Sequence, residues 1–328
     1  MNAAQIPVID ISPLITSKGE ISYQNVVRKI ASACLEYGFF YVSDHNIKAT
    51  LQKGLFDCLW QFFCLPQNQK DEIRKKEGSF RGYFGMEEEV STETKISDWK
   101  EGIYYFQDIN LPKNRPESVF NGTNPLPKKE YLPNFENVIM EYFQKTITLG
   151  STIMSAVAVG LGVGKDFFEE KFTSEPFVQL AMFHYPPYKN AIHNDDFKWG
   201  VQEHTDYGVL TVLMQDDVGG LQVQLKNCEW IEVPPIPNTF VINIGDALES
   251  WTSGAYRAAP HRVLASSSRD RMSVAMFYAP SFDCVVTPIP LENTVIPVEA
   301  ANENLKMKST FVYGEYVLSK YRAILDHN

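Results

Sequence analysis

The sequence predicts an α+β protein with a mainly β core, a sandwich or barrel wrapped by helices. Three observations carry this. Short β-prone runs follow one another at 178–185, 209–215, 221–225, 230–233, 239–244, 261–265 and 271–278. Turn-forming pairs separate them, among them Gly219-Gly220, Pro234-Pro235, Pro237-Asn238 and Gly245-Asp246. Before and after this stretch the apolar spacing is helical, and no repeat or linker divides the chain, so residues 1–328 are expected to form a single catalytic unit.

In chain order, Ile6-Pro-Val-Ile-Asp10 is a short β-prone run. Val26, Val27, Ile30, Cys34 and Tyr37 recur at helical spacing, Gly38 offers a C-cap, and 39–43 reads as a buried strand. A second helix covers about 49–64, where Leu51, Leu55, Leu59 and Phe62 share one side and Pro66 stops it. Residues 99–106 are β-prone, and 110–133, rich in Pro, Asn and Lys, reads as loop. A long helix follows over 134–161. The region 1–175 is thus mainly helical while contributing strands to the barrel, 176–290 is the β core, and 291–328 is a helical tail, with helix over 311–325. Gly160-Leu-Gly-Val-Gly-Lys165 resembles a phosphate loop but fails its spacing and follows a helix, so it reads as a helix C-terminus.

Charge narrows the function. The chain carries 30 basic and 40 acidic residues, a net charge of −10, which disfavours nucleic acid and anionic membranes as partners. No apolar run approaches the roughly 18 residues of a membrane span, and Met1–Asp10 lacks the basic start of a signal peptide. The five cysteines are odd in number and scattered, which points to reduced thiols and a cytoplasmic location; the sequon at Asn121 is then idle. A monomer acting on a small molecule is expected.

The chemistry gathers around two histidines. In Glu203-His-Thr-Asp206, His204 and Asp206 are two residues apart, so an extended chain turns both to one face. His261 opens a later strand. Two imidazoles and one carboxylate can cap one face of ferrous iron and leave positions open for O2 and a bidentate co-substrate. A zinc site could use the same trio, and a strand histidine is often structural. Ten residues on comes Arg271-Met-Ser273, again a same-face pair. The apolar run that follows, Val274 to Tyr278, suggests that Arg271 points into the barrel, where a guanidinium with a hydroxyl makes a carboxylate receptor. Tyr185, ending its strand before Pro186-Pro187, could offer a phenol to a second carboxylate.

These residues, with Ile6-Pro-Val-Ile-Asp10, 37–42, Arg81-Gly-Tyr83, Gly220-Leu-Gln222, Asn243-Ile-Gly-Asp246 and His261-Arg-Val263, give the chain a resemblance over nearly its whole length. It resembles the isopenicillin N synthase-like family of Fe(II)/2-oxoglutarate-dependent dioxygenases. The resemblance implies a double-stranded β-helix (jelly roll) with flanking N-terminal and C-terminal helices, and Fe(II), 2-oxoglutarate and O2 as metal and co-substrates. It implies His204, Asp206 and His261 as iron ligands. Arg271 and Ser273 would hold the distal carboxylate of 2-oxoglutarate and Tyr185 the proximal end. The sequence departs from the family at Phe183, where many relatives have Asn, and at Asn46, where many have Gly; Asn can take the left-handed backbone needed there, and His45 beside it reads as structural.

The implied reaction is oxidation of an unactivated C–H bond (hydroxylation, desaturation or ring closure) coupled to conversion of 2-oxoglutarate to succinate and CO2. Two other readings stand beside it: a family oxidase that uses O2 without 2-oxoglutarate, and a non-catalytic jelly-roll binding protein. For the substrate, Arg81, Tyr83, Lys198 and Trp251 are the expected contacts. The cations Arg81, Lys100, Lys198 and Arg257 point to an anionic or amino-acid-like molecule. His193, Lys198 and Trp199 fall in an irregular stretch that would act as a lid or lie free in solvent. By the same resemblance, the substrate side is covered by residues 100–106, the loop 189–202 and the C-terminal helix near Tyr313 and Tyr316.

Overall fold

The computed structural model describes residues 6–16, 19–90, 94–109, 111–188, 198–266, 268–297 and 310–325. Its strands are β1 (Val8–Asp10), β2 (Phe39–Ser43), β3 (Gly82–Phe84), β4 (Glu101–Phe106), β5 (Phe177–Tyr185), β6 (Trp199–His204), β7 (Leu210–Gln215), β8 (Leu221–Gln224), β9 (Trp230–Glu232), β10 (Phe240–Ile244), β11 (His261–Leu264), β12 (Arg271–Ala279), β13 (Val285–Val286) and β14 (Phe311–Val312). The helices are α1 (Ser12–Ile15), α2 (Glu20–Glu36), α3 (Ala49–Phe63), α4 (Gln67–Lys70), α5 (Phe135–Gly160), α6 (Phe167–Lys171), α7 (Asp246–Trp251) and α8 (Tyr313–Leu325).

Eight strands form one sheet in the order β1-β2-β10-β7-β12-β5-β4-β3, and four form a second, β6-β11-β8-β9. A cavity lies between them, lined from both sheets. Because side chains alternate along a strand, β12 divides its residues between two environments. Arg271, Ser273, Ala275 and Phe277 line the cavity. Met276 and Tyr278 point the other way, toward α5, where Gly150 is so close that a Cβ would lie 3.1 Å from Met276 and 3.2 Å from Tyr278. The helices cover this outer face with a large apolar core that includes Ile30, Phe62, Ile139, Ile153 and Met276. A smaller cluster, with Phe39, Phe183, Leu221 and Val263, lies between the sheets.

The jelly roll with flanking helices is the expected fold. The expected helix before Gly38 is α2, and Gly38 itself takes φ 69°, left-handed as a C-cap requires. Asn46 takes φ 60° and Asp44 φ 54°. His45 between them is buried and accepts the Ile47 amide through Nδ1, a structural role. The glycine-rich run begins where α5 ends at Gly160, with Gly162 and Gly164 at φ 76° and 86°. One segment differs from the expectation. The sequence places Lys198 and Trp199 in an irregular stretch, yet Trp199 opens β6, which pairs with β11. Only Trp199 and Val201 are apolar there, too sparse a pattern to read as a strand. His193 and most of the expected 189–202 loop lie outside the described residues.

Candidate active site

Three ligand atoms converge at one end of the cavity. His204 ends β6 and His261 begins β11; the two are register partners, and their ring centroids lie 4.2 Å apart. Asp206 follows in the turn before β7. One nitrogen or oxygen from each of His204, Asp206 and His261 falls within 4.8 Å of the others, and Oδ1 of Asp206 is 3.7 Å from both Nε2 atoms.

The surroundings leave those atoms free to bind a metal. Nδ1 of His204 faces the Gln202 carbonyl at 2.8 Å and Nδ1 of His261 the Ala259 carbonyl at 3.1 Å. A carbonyl only accepts, so each Nδ1 carries the proton, and each Nε2 lone pair points at the shared space. Asp206 is fixed in the same way. Its Oδ2 accepts from the Thr211 hydroxyl at 2.5 Å and the Asn243 amide at 2.6 Å, leaving Oδ1 toward the histidines. Burial alone would raise the Asp206 pKa, but His261, His204 and these two bonds outweigh it, and the carboxyl sits below its ordinary range. Burial, with repulsion from His204, lowers His261 to about 4 against the pull of Asp206. The site thus offers two imidazole Nε2 atoms and a carboxylate oxygen to one point, a donor set that suits iron(II).

Neither Thr211 nor Asn243 was among the expected site residues, although Asn243 opens a quoted motif. The contact depends on the turn at Gly208 meeting Gly245. A Cβ at Gly245 would lie 2.3 Å from the Gly208 carbonyl oxygen, so glycine is what allows β10 and β7 to bring Asn243 against Asp206.

Farther into the barrel lies a second cluster. Arg271 is 1% exposed and has no ion pair among the described residues. Its guanidinium donates to the Gly219 carbonyl (2.7 Å), the Ser273 hydroxyl (3.3 Å) and Gln215 Oε1 (3.4 Å) and stacks 4.7 Å from the centre of the Tyr185 ring. A buried cation held only by neutral acceptors is costly unless an anion arrives. Tyr185 is the register partner of Arg271, and its phenol lies 3.3 Å from the Ser273 hydroxyl. Pairing of β5 with β12 thus places Tyr185 in the Arg271–Ser273 cluster.

The four expected substrate contacts are not brought together. Arg81 is buried and spends its donors on the Phe120, Phe106 and Gln107 carbonyls and on Asn124. The Tyr83 hydroxyl donates to Glu101 at 2.5 Å, in a network with Lys70 and His184. Trp251 is fully buried between Phe168 and Phe172. Lys198 pairs with Glu87 and lies over Trp99 and Tyr188. None of them lines the cavity, and neither does Arg257, which reaches the Gln224 carbonyl. Lys100 does line it, but with Asp98 at 2.5 Å and Glu89 at 3.0 Å, so its charge is already answered. The cations that suggested an anionic substrate are therefore occupied elsewhere. The remaining wall comes from Tyr104, Gln179, Tyr207 and a face of α8, within a cavity of about 300 Å³.

Residues 177–280 match the family model of the 2OG-Fe(II) oxygenase superfamily, and residues 6–129 match that of the N-terminal region of a non-haem dioxygenase in morphine synthesis. The chain is 36% identical to a probable iron/ascorbate oxidoreductase of Dictyostelium discoideum, over 96% of this chain and 93% of the relative. It is 34% identical to a homoarginine-6-hydroxylase of Glycine max, over 97% and 96%. Among solved structures, a full-length Neurospora crassa protein in complex with alpha-KG and thymine is similar at a TM-score of 0.81 and 26% identity, covering 97% of this chain and 96% of that one.

Proposed function

Because the chain belongs to the 2OG-Fe(II) oxygenase superfamily, whose metal is iron(II) and whose co-substrates are 2-oxoglutarate and O2, we propose that His204, Asp206 and His261 hold the iron and that Arg271, Ser273 and Tyr185 hold the 2-oxoglutarate. The protein is a dioxygenase of small molecules. The observation that carries the residue assignment is one cavity with three converging ligand atoms at one end and, at the other, a buried arginine that makes no ion pair among the described residues. Iron, when bound, activates O2 so that decarboxylation of 2-oxoglutarate drives oxidation of a C–H bond.

The chain's own residues supply order. Asn243 and Thr211 fix which Asp206 oxygen faces the metal, and two backbone carbonyls fix the imidazole rings. Arg271 presents a planar fork to a carboxylate, a geometry that lysine cannot copy. Ser273 and Tyr185 add hydroxyl donors. Phe183, Leu221 and Val263 make the walls apolar and keep water from the reacting centre. A buried arginine with no ion pair among the described residues favours 2-oxoglutarate use over the O2-only oxidase, and an intact ligand set favours turnover over mere binding.

The partner is a small molecule, and a monomer in the cytoplasm is the setting we favour. Cys34, Cys58, Cys64, Cys228 and Cys284 are all free thiols, and the large exposed apolar side chains are spread over separate elements. Among the described residues no helix is long and apolar enough to cross a membrane. The test is metal binding by calorimetry together with succinate release. Wild type should bind iron(II) and form succinate from 2-oxoglutarate and O2, and Asp206→Ala should lose both while keeping its circular dichroism. Asn243→Leu should weaken metal affinity by about 10–100-fold. Full metal binding by Asp206→Ala would move the site elsewhere.

A further inference from the structure

Resting on that reading, the substrate half of the cavity can be read from the polar groups left without partners. Helix α8 turns one stripe inward: Tyr313, Val317, Lys320 and Tyr321, at positions i, i+4, i+7 and i+8, all line the cavity. Across from the stripe, Gln179 on β5 is 4% exposed. Its carbonyl oxygen accepts the Tyr321 hydroxyl, which fixes the amide and turns its NH2 group to the cavity with no acceptor among the described residues. Tyr313, 2% exposed, likewise has no hydrogen-bond partner for its hydroxyl among the described residues. Both residues line the cavity, where a ligand can meet these groups. Lys320 is half-buried and forms no ion pair among the described residues; its ammonium lies 5.3 Å from the Tyr207 ring centre and 5.4 Å from that of Tyr316.

The charges decide the polarity of the ligand. Glu89 and Asp98 both contact Lys100, and Glu89 also accepts the Tyr104 hydroxyl at 2.6 Å. Glu203 lies exposed at the rim. The groups still waiting inside are donors, one of them cationic. We propose that Gln179 and the α8 stripe form the substrate-recognition wall and select a small organic acid with a ring-sized apolar body. Its carboxylate meets Lys320, an acceptor atom meets the Gln179 amide, and its body lies between Tyr207, Tyr321 and Phe183. A cavity of about 300 Å³ that must also admit 2-oxoglutarate sets the small size.

The test is calorimetric titration of the full chain loaded with 2-oxoglutarate and Mn(II), a redox-silent stand-in for iron. The probes are matched sets of aromatic acids, their neutral amides and the corresponding amines, for example indole-3-acetate, indole-3-acetamide and tryptamine. Wild type should favour the acids over the amides by roughly tenfold, the scale of one charged hydrogen bond. Lys320→Gln should abolish that preference, Lys320→Arg should keep it, and Gln179→Leu should weaken acid and amide alike. Every variant should bind Mn(II) and 2-oxoglutarate as wild type does, which separates failure of this inference from failure of the metal-site assignment and reports on folding. Equal binding of acid and amide by wild type, or no binding by any acid, would overturn the proposal. Tighter binding of the amines would also overturn it and make Glu89 the anchor.

Discussion

Arg271 on β12 and Lys100 just before β4 lie on opposite sides of β5, and both line the same cavity. Arg271 is held by a carbonyl, a hydroxyl and an amide oxygen, none of them charged. Lys100, 3% exposed, touches two carboxylates, and although burial alone would lower its pKa, Asp98 and Glu89 outweigh this and raise it. One cation is prepared for an incoming anion and the other is finished. Asp98 also accepts the Gln202 amide at 3.1 Å, so the finished ion cluster ties the chain before β4 to β6 and holds one wall of the cavity in place. Identical formal charge thus serves binding in one place and architecture in the other. Asp216 is near enough to Arg271 to feel its charge, but carboxylates in direct contact, and not burial, tell the two apart.

The contrast can be broken by mutation, most strongly at the finished end. Lys100→Met should strand two buried carboxylates and cost about 3–5 kcal/mol of stability, read by denaturant unfolding. A stable variant with weakened 2-oxoglutarate binding would reverse the roles of the two cations. Next in size, Arg271→Gln should raise the 2-oxoglutarate Kd by about 30- to several-thousand-fold, equivalent to about 2–5 kcal/mol. It should destabilise the ligand-free protein less than the Lys100 change does, since no charge is left unpaired. An unchanged Kd would require another basic receptor.

The smallest effect sharpens the boundary between cavity and scaffold. Tyr83→Phe removes one of several hydrogen bonds to Glu101, worth about 0.5–1.5 kcal/mol. Its melting temperature should fall slightly while the substrate KM and the succinate-to-product ratio stay at wild-type values. A shift in that ratio would return Tyr83 to the substrate site.

What could be read in advance follows from distance along the chain. His204 with Asp206, and Arg271 with Ser273, are pairs two residues apart on extended backbone, so a period of two was enough to place each on one face. Thr211 reaches Asp206 from five residues on, whereas Asn243 arrives only through strand pairing from 37 positions away, and no local pattern announces that meeting. For Arg81, Tyr83 and Trp251 the residue type suggested chemistry, but the deciding fact was the partner. Arg81 finds carbonyls from residues 106, 107 and 120 that no periodicity reveals. The helix expected over 311–325 is α8 from Tyr313 on, since Phe311 and Val312 form β14 instead; that its stripe at Tyr313, Val317 and Lys320 closes the cavity depends on how it docks.

That docking has a consequence for biosynthesis. Every strand of both large sheets precedes α8 in the chain, and the last of them, β12, ends at Ala279, well before Tyr313. Translation proceeds at about 5–20 residues per second, so the barrel emerges from the ribosome seconds before the helix that forms its final wall. In that interval the chain lacks the part of the cavity wall that Tyr313, Val317, Lys320 and Tyr321 supply.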